Sequence, residues 1–216
     1  LECNNNQITQ FNVGNINQLE ILDCSNNQIT QFDVSNITGL VMLYCNNNRI
    51  TQLNVSNLTG LEDLFCENNQ LTQLDVSNLT GLNYLGCGSN QLTKLDVTNL
   101  TQLQDLKCSN NQITQLDISN LTQLRNLECH SSPLEYIYLK NNFINNIQNF
   151  KIFKNSPNLK YICADAEEVD QLKQMAIDSG YPNVIINSFC NPAGDFYTLK
   201  GQIKLDFNNN GCDVAD

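Results

Sequence analysis

The sequence predicts an α/β solenoid: a stack of short parallel strands, closed at its C-terminal end by a strand–helix–strand cap. Two observations carry this prediction. First, the phrase LEILDCSNNQITQFDVSNITG, read from Leu19, returns from Leu40, Leu61, Leu82 and Leu103. It places Cys3, Cys24, Cys45, Cys66, Cys87, Cys108 and Cys129 at a constant spacing of 21 residues. Self-similarity at a period of ~20–50 residues marks a repeat architecture. Second, the apolar residues inside the phrase keep fixed places, so each unit presents one apolar side that only a neighbouring unit can cover.

With Leu19 as position 1 of a coil, apolar residues fall at positions 1, 4, 6, 11, 14, 16 and 19. In the first full coil these are Leu19, Leu22, Cys24, Ile29, Phe32, Val34 and Ile37. Positions 4 and 6 flank one residue with period 2, which is a strand signal. The later positions are spaced too irregularly for a long helix and suit an arc of turns or 3-10 structure that returns the chain. Stacked strands then form a parallel sheet.

Two polar or reactive columns accompany this core. Position 9 is Asn in six coils: Asn6, Asn27, Asn48, Asn69, Asn90 and Asn111. One Asn side chain offers an acceptor and two donors, so turned inward it can serve turn groups of its own coil and of the next. The cysteine column invites a metal-site reading, because thiolates are good ligands. Yet position 6 alternates with the core leucine at position 4, and no His or carboxylate accompanies the thiols. They read as small buried hydrophobes.

These residues resemble the leucine-rich repeat family, with the pattern L-x-x-L-x-C-x-x-N-x-I/L-x-x-L-x-V-x-x-L. The resemblance covers residues 1–164 and is nearest to short bacterial repeats with phrases such as LDVSNLTGL (Leu74 to Leu82) and LDVTNLTQL (Leu95 to Leu103). It implies a horseshoe with a parallel sheet on the concave face and an irregular or 3-10 convex side. It also implies a secreted or bacterial cell-surface protein of Bacteroidetes type, whose concave face binds or adheres to a protein or carbohydrate. Triplets such as Asn57-Leu58-Thr59 match a glycosylation acceptor, but they recur because the coil recurs, and their Leu belongs to the core.

The repeat changes after Leu124. Ser132 stands where Asn is expected, Pro133 follows, and the next strand-like phrase, LKYIC, starts at Leu159, which implies a coil with 14 extra residues around NNFINNIQNFKIF. Asp165 followed by Glu168 reads as a capping box. Val169, Leu172, Met175 and Ala176 form one helical face, and Gly180 and Pro182 end it. Val184 to Phe189 reads as a strand. This predicts repeats over residues 1–158, a cap over 159–190, and a linker with the first strand of a β-sandwich-like module over 191–216. The chain starts inside a coil and ends inside that last strand, so further repeats and modules are expected beyond it. Three cysteines lie outside the column. Cys163 with Cys190 would staple the cap, and Cys190 with Cys212 is the rival pairing.

The net charge is −11, which opposes contact with phosphate backbones and argues against a nucleic-acid partner. Only 15% of residues are charged, a composition that would fit disorder were the apolar positions not so regular. No apolar run approaches the ~20 residues that span a bilayer.

Candidate sites follow from the strand residues that face away from the core, at positions 3, 5 and 7. Down the stack, position 3 reads Ile21, Met42, Asp63, Tyr84, Asp105 and Asn126; position 5 reads Asp23, Tyr44, Phe65, Gly86, Lys107 and Glu128; position 7 reads Ser25, Asn46, Glu67, Gly88, Ser109 and His130. Met42, Tyr44, Phe65 and Tyr84 adjoin one another on a face that should meet water, which marks a binding site. Gly86 and Gly88 are expected to leave a shallow floor beside them. Lys107 and Glu128, one coil apart in one column, are expected to pair. His130 with Ser131 and Ser132 has nothing to fix a triad geometry, and no convergent nucleophile, base or acid pair occurs, so no enzyme activity is expected. Asp206, Asn208, Asn210 and Gly211 spell D-x-N-x-N-G, the start of a calcium loop that Asp213 or Asp216 could complete, although neither stands at position 12 and the Asn-Gly pair also suits a hairpin turn. No other cofactor is expected. The competing functional reading is a structural spacer or stalk whose activity lies in flanking regions.

Overall fold

A computed structural model of the chain describes residues 1–12, 14, 16, 18–142 and 147–190. It is a β-solenoid of about eight turns with parallel strands. In chain order the strands are β1 (Gln10–Phe11), β2 (Ile21–Asp23), β3 (Gln31–Phe32), β4 (Met42–Tyr44), β5 (Asp63–Phe65), β6 (Tyr84–Gly86) and β7 (Asp105–Lys107). There follow β8 (Gln115–Asp117), β9 (Asn126–Glu128), β10 (Tyr136–Tyr138), β11 (Phe150–Lys151), β12 (Tyr161–Cys163), the helix α1 (Val169–Asp178) and β13 (Ile185–Asn187).

Seven strands form the concave parallel sheet in the order β2-β4-β5-β6-β7-β9-β11. The register never slips: Leu22, Leu43, Leu64, Leu85, Leu106 and Leu127 pair in turn with their successors, and Phe150 takes the last place. Each strand is three residues long or less, and its middle or leading apolar residue points into the core while its neighbours face out. The arc after each strand closes through i→i+3 turn bonds, such as Leu58 N to Val55 O at 2.9 Å and Leu61 N to Leu58 O at 2.9 Å. Leu61, Leu64, Cys66, Leu71, Val76 and Leu79 of one coil are all within 1% of complete burial, and each full burial of such a leucine contributes about 1.5–3 kcal/mol.

A second parallel sheet, β13-β12-β10-β8, lies on another side of the coil, with β1 and β3 paired on the same side near the N-terminus. Periodicity alone did not separate this side from irregular turns, because its strands hold two or three residues.

The second sheet corrects the reading of the last coil. LKYIC does not continue the concave sheet. Ile162 pairs with Ile137, and Ile137 pairs with Leu116, all on the second sheet. The concave strand of that coil is Phe150–Lys151, paired with Leu127–Glu128. From Leu127 to Phe150 is 23 residues, two more than the period, rather than 14. NFKIF is therefore the coil itself and not an insert packed on the end. Phe150, Ile152 and Phe153 are buried there.

The Asn column explains how the strand turns into the arc. Position 8 adopts the left-handed region in every coil, from Asn5 at φ 57° to Asn110 at φ 56°, with Ser89 and Ser131 as variants. Asn is among the residues that tolerate this conformation best. The next Asn turns inward. Asn69 Nδ2 donates to Cys66 O (3.1 Å), Glu67 O (3.3 Å) and Cys45 O (3.0 Å), while its Oδ1 accepts from Ile50 N (2.9 Å). The second coil served is the preceding one, not the following one as the sequence suggested. In the changed coil Ser132 Oγ accepts from Asn111 N at 3.1 Å.

Cys24, Cys45, Cys66 and Cys87 are fully buried, and Cys108 and Cys129 nearly so. Burial pushes the Cys24 and Cys108 thiols up to about 12 and lifts Cys45, Cys66, Cys87 and Cys129 well above the ordinary thiol range. Thiolate is the reactive form. In the folded protein at pH 8, iodoacetamide is therefore expected to reach Cys3 alone among the column cysteines and to modify all seven only after unfolding. Peptide mapping of the alkylated sites checks this.

At the C-terminal end β12, α1 and β13 form a parallel strand–helix–strand unit, with Ile162 paired to Ile186. Leu172 and Ala176 are the buried helix residues, with Val169 and Met175 packed partly against the core. Gly180, at φ 86°, ends the helix. The expected capping box is not formed: Glu168 is the N-cap residue and makes no side-chain cap bond. Asp165 Oδ2 instead accepts from Asn141 N (3.1 Å) and Asn142 N (3.0 Å), tying the cap to the preceding coil. Cys163 and Cys190 are joined by a disulfide across 5.0 Å between Cα atoms. The calcium-like segment with Asp206, Asn208, Asn210 and Asp213, and also Cys212, lies outside the described residues.

Candidate functional site

The concave sheet brings the four sequence-predicted side chains together. Strand register sets Tyr44 beside Phe65 and Met42 beside Asp63. The Tyr44 and Phe65 rings stack with centroids 4.5 Å apart and planes at 11°. Phe65 and Tyr84 stack at 4.2 Å and 23°. Tyr84 stands opposite Asp63, not Phe65, in the register. Its ring reaches Phe65 along the diagonal, a distance aromatic side chains can span, because the residue directly opposite Phe65 is Gly86. Met42 lies at 3.7 Å from the Tyr44 hydroxyl through its sulfur. All four side chains are half-buried.

Gly86 does not form an open floor. It is itself buried, and the Glu67 carboxylate occupies the space over it; a β-carbon there would collide with that carboxylate. Glu67 Oε1 accepts from the Tyr84 hydroxyl at 3.2 Å. Burial first, and then the Glu67 charge, push the Tyr84 phenol well above its ordinary range. The glycine thus leaves room for a Tyr84–Glu67 contact that locks the end of the ring stack. Gly88 faces the Ser109 backbone, where a β-carbon would stand 3.2 Å from the carbonyl oxygen.

Lys107 caps the stack, its Nζ lying 5.3 Å from the centre of the Tyr84 ring, within cation–π range. The expected Lys107–Glu128 pair does not form. Glu128 instead meets Lys151, one coil further on, at 2.7 Å, and this bond holds its carboxyl below the ordinary range. The pair is largely exposed and contributes only ~0–1 kcal/mol. The contacts of Lys107 and Glu67 with Tyr84, and of Lys151 with Glu128, were not expected from the sequence. A column neighbour can be read from the period, but a long side chain chooses between neighbours by packing.

The remaining polar residues of this face are held locally. Asp105 accepts from Asn126, and Asp23 Oδ1 accepts from Ser25 N (3.0 Å) and Ser25 Oγ (2.7 Å). His130 Nδ1 lies 3.0 Å from Ser131 Oγ, and burial together with the Lys154 charge holds its pKa below the ordinary value. Among the described residues no group of three or more His, Cys, Asp or Glu is placed to hold a metal ion. No helix there is long and apolar enough to cross a membrane.

Shallow depressions lie on the side of the coil that carries the β1–β3 pair. One, of about 760 Å³, is lined by Phe11, Thr30, Gln31, Phe32, Asp33 and Asn36 among others. A smaller one is lined by Thr51, Gln52, Asn54, Thr72, Gln73 and Asp75. Those walls repeat from coil to coil, as stacking requires. The concave columns vary from coil to coil.

No family model and no curated protein matches the chain. Solved structures do. The functional domain of InlJ from Listeria monocytogenes, which includes a cysteine ladder, aligns over 87% of this chain and 47% of its own, at 27% identity and a TM-score of 0.64. The leucine-rich repeat ectodomain of the Arabidopsis thaliana receptor kinase GASSHO1/SCHENGEN3, in complex with Casparian strip integrity factor 2, aligns over 68% of this chain and 18% of its own, at 21% identity and a TM-score of 0.51. A leucine-rich repeat protein of Leptospira interrogans aligns over 79% and 49%, at 22% and 0.49. The chain thus has the leucine-rich repeat fold. It spans about half the length of the InlJ domain that it matches. The bacterial neighbours come from Listeria and Leptospira, and neither bears on a Bacteroidetes source.

Proposed function

We propose that this chain is a non-catalytic binding module of a secreted or bacterial cell-surface protein, and that it captures a protein partner on its concave face. The observation that carries this reading is the ring stack Tyr44–Phe65–Tyr84, half-buried on a sheet face with no segment of the described chain laid over it. Clustered aromatic residues of this kind supply most of the binding energy of protein interfaces. A disulfide in the cap suits an oxidising compartment, and the buried thiols are shielded from it.

The stack also favours protein over carbohydrate. Sugars pack against open ring faces. Here Phe65 has both faces covered by rings, and Tyr84 has one face on Phe65 and Lys107 set over the ring. Tyr44 alone keeps one ring face uncovered by another ring; the rest of the stack presents ring edge, which suits carbonyl, carboxylate and aliphatic groups of a polypeptide.

The test is a protein array and a glycan array probed with the purified chain and with a Tyr44→Ala/Phe65→Ala variant of unchanged circular-dichroism melting. Protein signals are expected to weaken about 30-fold or more in the variant, as loss of ~2 kcal/mol or more at aromatic hot spots requires. Glycan signals lost in the same variant would replace the partner class. Signals indifferent to both substitutions would leave the face without a ligand and favour the spacer or stalk reading.

A further inference from the structure

We propose that the outer face of Tyr44, with the Asp23 carboxylate beside it, is a subsite for an arginine side chain of the partner. The inference rests on the concave-face reading above and specifies its chemistry. The ring stack has two ends. At one end the chain supplies its own cation, Lys107, 5.3 Å from the Tyr84 ring. At the other end, Tyr44 uses one ring face on Phe65, and no ring or cation of the described residues covers the opposite face.

What adjoins that face is acidic. Asp23 is the register partner of Tyr44 on β2, one strand spacing away, about 4.8 Å. Glu2 stands next in the same row, bridged to Asp23. Asp23 is oriented: its Oδ1 is fixed by the Ser25 amide and hydroxyl, and its Oδ2 has no hydrogen-bond partner among the described residues. Strands β2, β4 and β5 carry no Lys or Arg. The Leu1 α-amino group is engaged with Ile21 O at 2.7 Å. Ile21 itself is 45% exposed beside Asp23, an apolar surface on which an aliphatic stem can lie. The whole-chain charge of −11 favours cationic partners in general.

A planar guanidinium fits these features better than an ammonium. It can lie flat on a tyrosine ring and still direct N–H groups, in plane, at a carboxylate oxygen. The free end of the stack would then receive from the partner what Lys107 supplies at the other end.

The test uses the full chain with ¹³C-labelled tyrosine and ¹⁵N amides, titrated with N-acetyl-L-arginine methylamide and, separately, with its norleucine counterpart. The arginine derivative is expected to shift the Tyr44 ring and the Asp23 and Ser25 amides in a saturable way, and the norleucine derivative to leave them in place. Asp23→Asn, which keeps the Oδ1 contacts to Ser25, and Tyr44→Leu are each expected to weaken the response about threefold or more, with the amide spectrum of the other coils unchanged. Shifts that map elsewhere, that survive both substitutions, or that norleucine reproduces overturn the subsite. Its failure is distinguishable from failure of the docking face: array capture lost in Tyr44→Ala/Phe65→Ala without any arginine response removes the subsite alone. An arginine response with capture indifferent to that double variant removes the docking face and retains the cation site.

Discussion

Replacing Asn69 with alanine is expected to destabilise the protein by about 3 kcal/mol, more than any exposed polar substitution on the same turn. The reason is an accounting of partners. Ile50 N donates to Asn69 Oδ1, and the alanine variant leaves this N–H buried with no acceptor. An orphaned buried donor costs ~1–3 kcal/mol, to which the lost hydrogen bonds and the vacated space add. The carbonyls fare better. Cys45 O receives both Asn48 Nδ2 (3.1 Å) and Asn69 Nδ2 (3.0 Å), and Cys66 O receives both Asn69 Nδ2 (3.1 Å) and Asn90 Nδ2 (3.0 Å). Each keeps one donor when Asn69 is removed. The double variant Asn48→Ala/Asn69→Ala strips Cys45 O of both, so its cost is expected to exceed the sum of the single costs by about 1 kcal/mol. Urea unfolding of the four proteins measures this, with Asn47→Ala as the exposed control. Asn47 is exposed and water can replace the bond it donates to Asn26 Oδ1, so its loss should be the smaller one even though alanine is strained at its φ of 56°. Equal midpoints for Asn47→Ala and Asn69→Ala would show that the inward column does not carry the turn.

This column marks what the sequence could reveal. A residue that recurs every 21 positions must do the same thing in each coil, so its role follows from its type: Leu64 and Cys66 are core, and Asn69 serves the turn. The same logic located the candidate face, because Tyr44, Phe65 and Tyr84 depart from the period at positions that point outward. It failed where two sides of the coil carry similar patterns. LKYIC looks like a concave strand because it opens with the L-x-x-I/L spacing of the repeat and ends in Cys, yet Ile162 stacks on Ile137 of the second sheet. The true concave strand of that coil, Phe150–Lys151, carries neither the leucine nor the cysteine of the repeat. It also failed for side chains with a choice. The period puts Lys107 beside both Glu128 and the Gly86–Tyr84 strand, and packing sends it to the ring. Asp165 was expected to cap the helix, but the Asn141 and Asn142 amides of the preceding coil take its carboxylate away from the helix start.

The second large effect is expected in the cap, because a repeat unit draws its stability from adjacent units and among the described residues the cap has a neighbour on one side only. Among the described residues β13 is an edge strand that pairs with β12 alone. Besides that pairing it is held by Tyr161 Oη donating to Asn187 Oδ1 (2.7 Å), by Lys140 Nζ donating to Ser188 O (2.9 Å) and by the disulfide from Cys163 to Cys190. Closing a loop with a sequence separation of 27 lowers the entropy of the unfolded segment by an amount equivalent to about 3 kcal/mol. The double variant Cys163→Ala/Cys190→Ala, or reduction under native conditions, is therefore expected to raise amide exchange about 100-fold or more in β12, α1 and β13. Exchange in β4 to β7 should not change, because a solenoid transmits stability only between adjacent units. A non-reducing peptide map should join the peptide holding Cys163 to the one holding Cys190. A Cys190–Cys212 link, or exchange that rises equally in every coil, would contradict this account. The first would move the staple out of the cap. The second would mean that the stack unfolds as one unit, so that the stability of the concave face, Tyr44 included, depends on a bond at the far end of the chain.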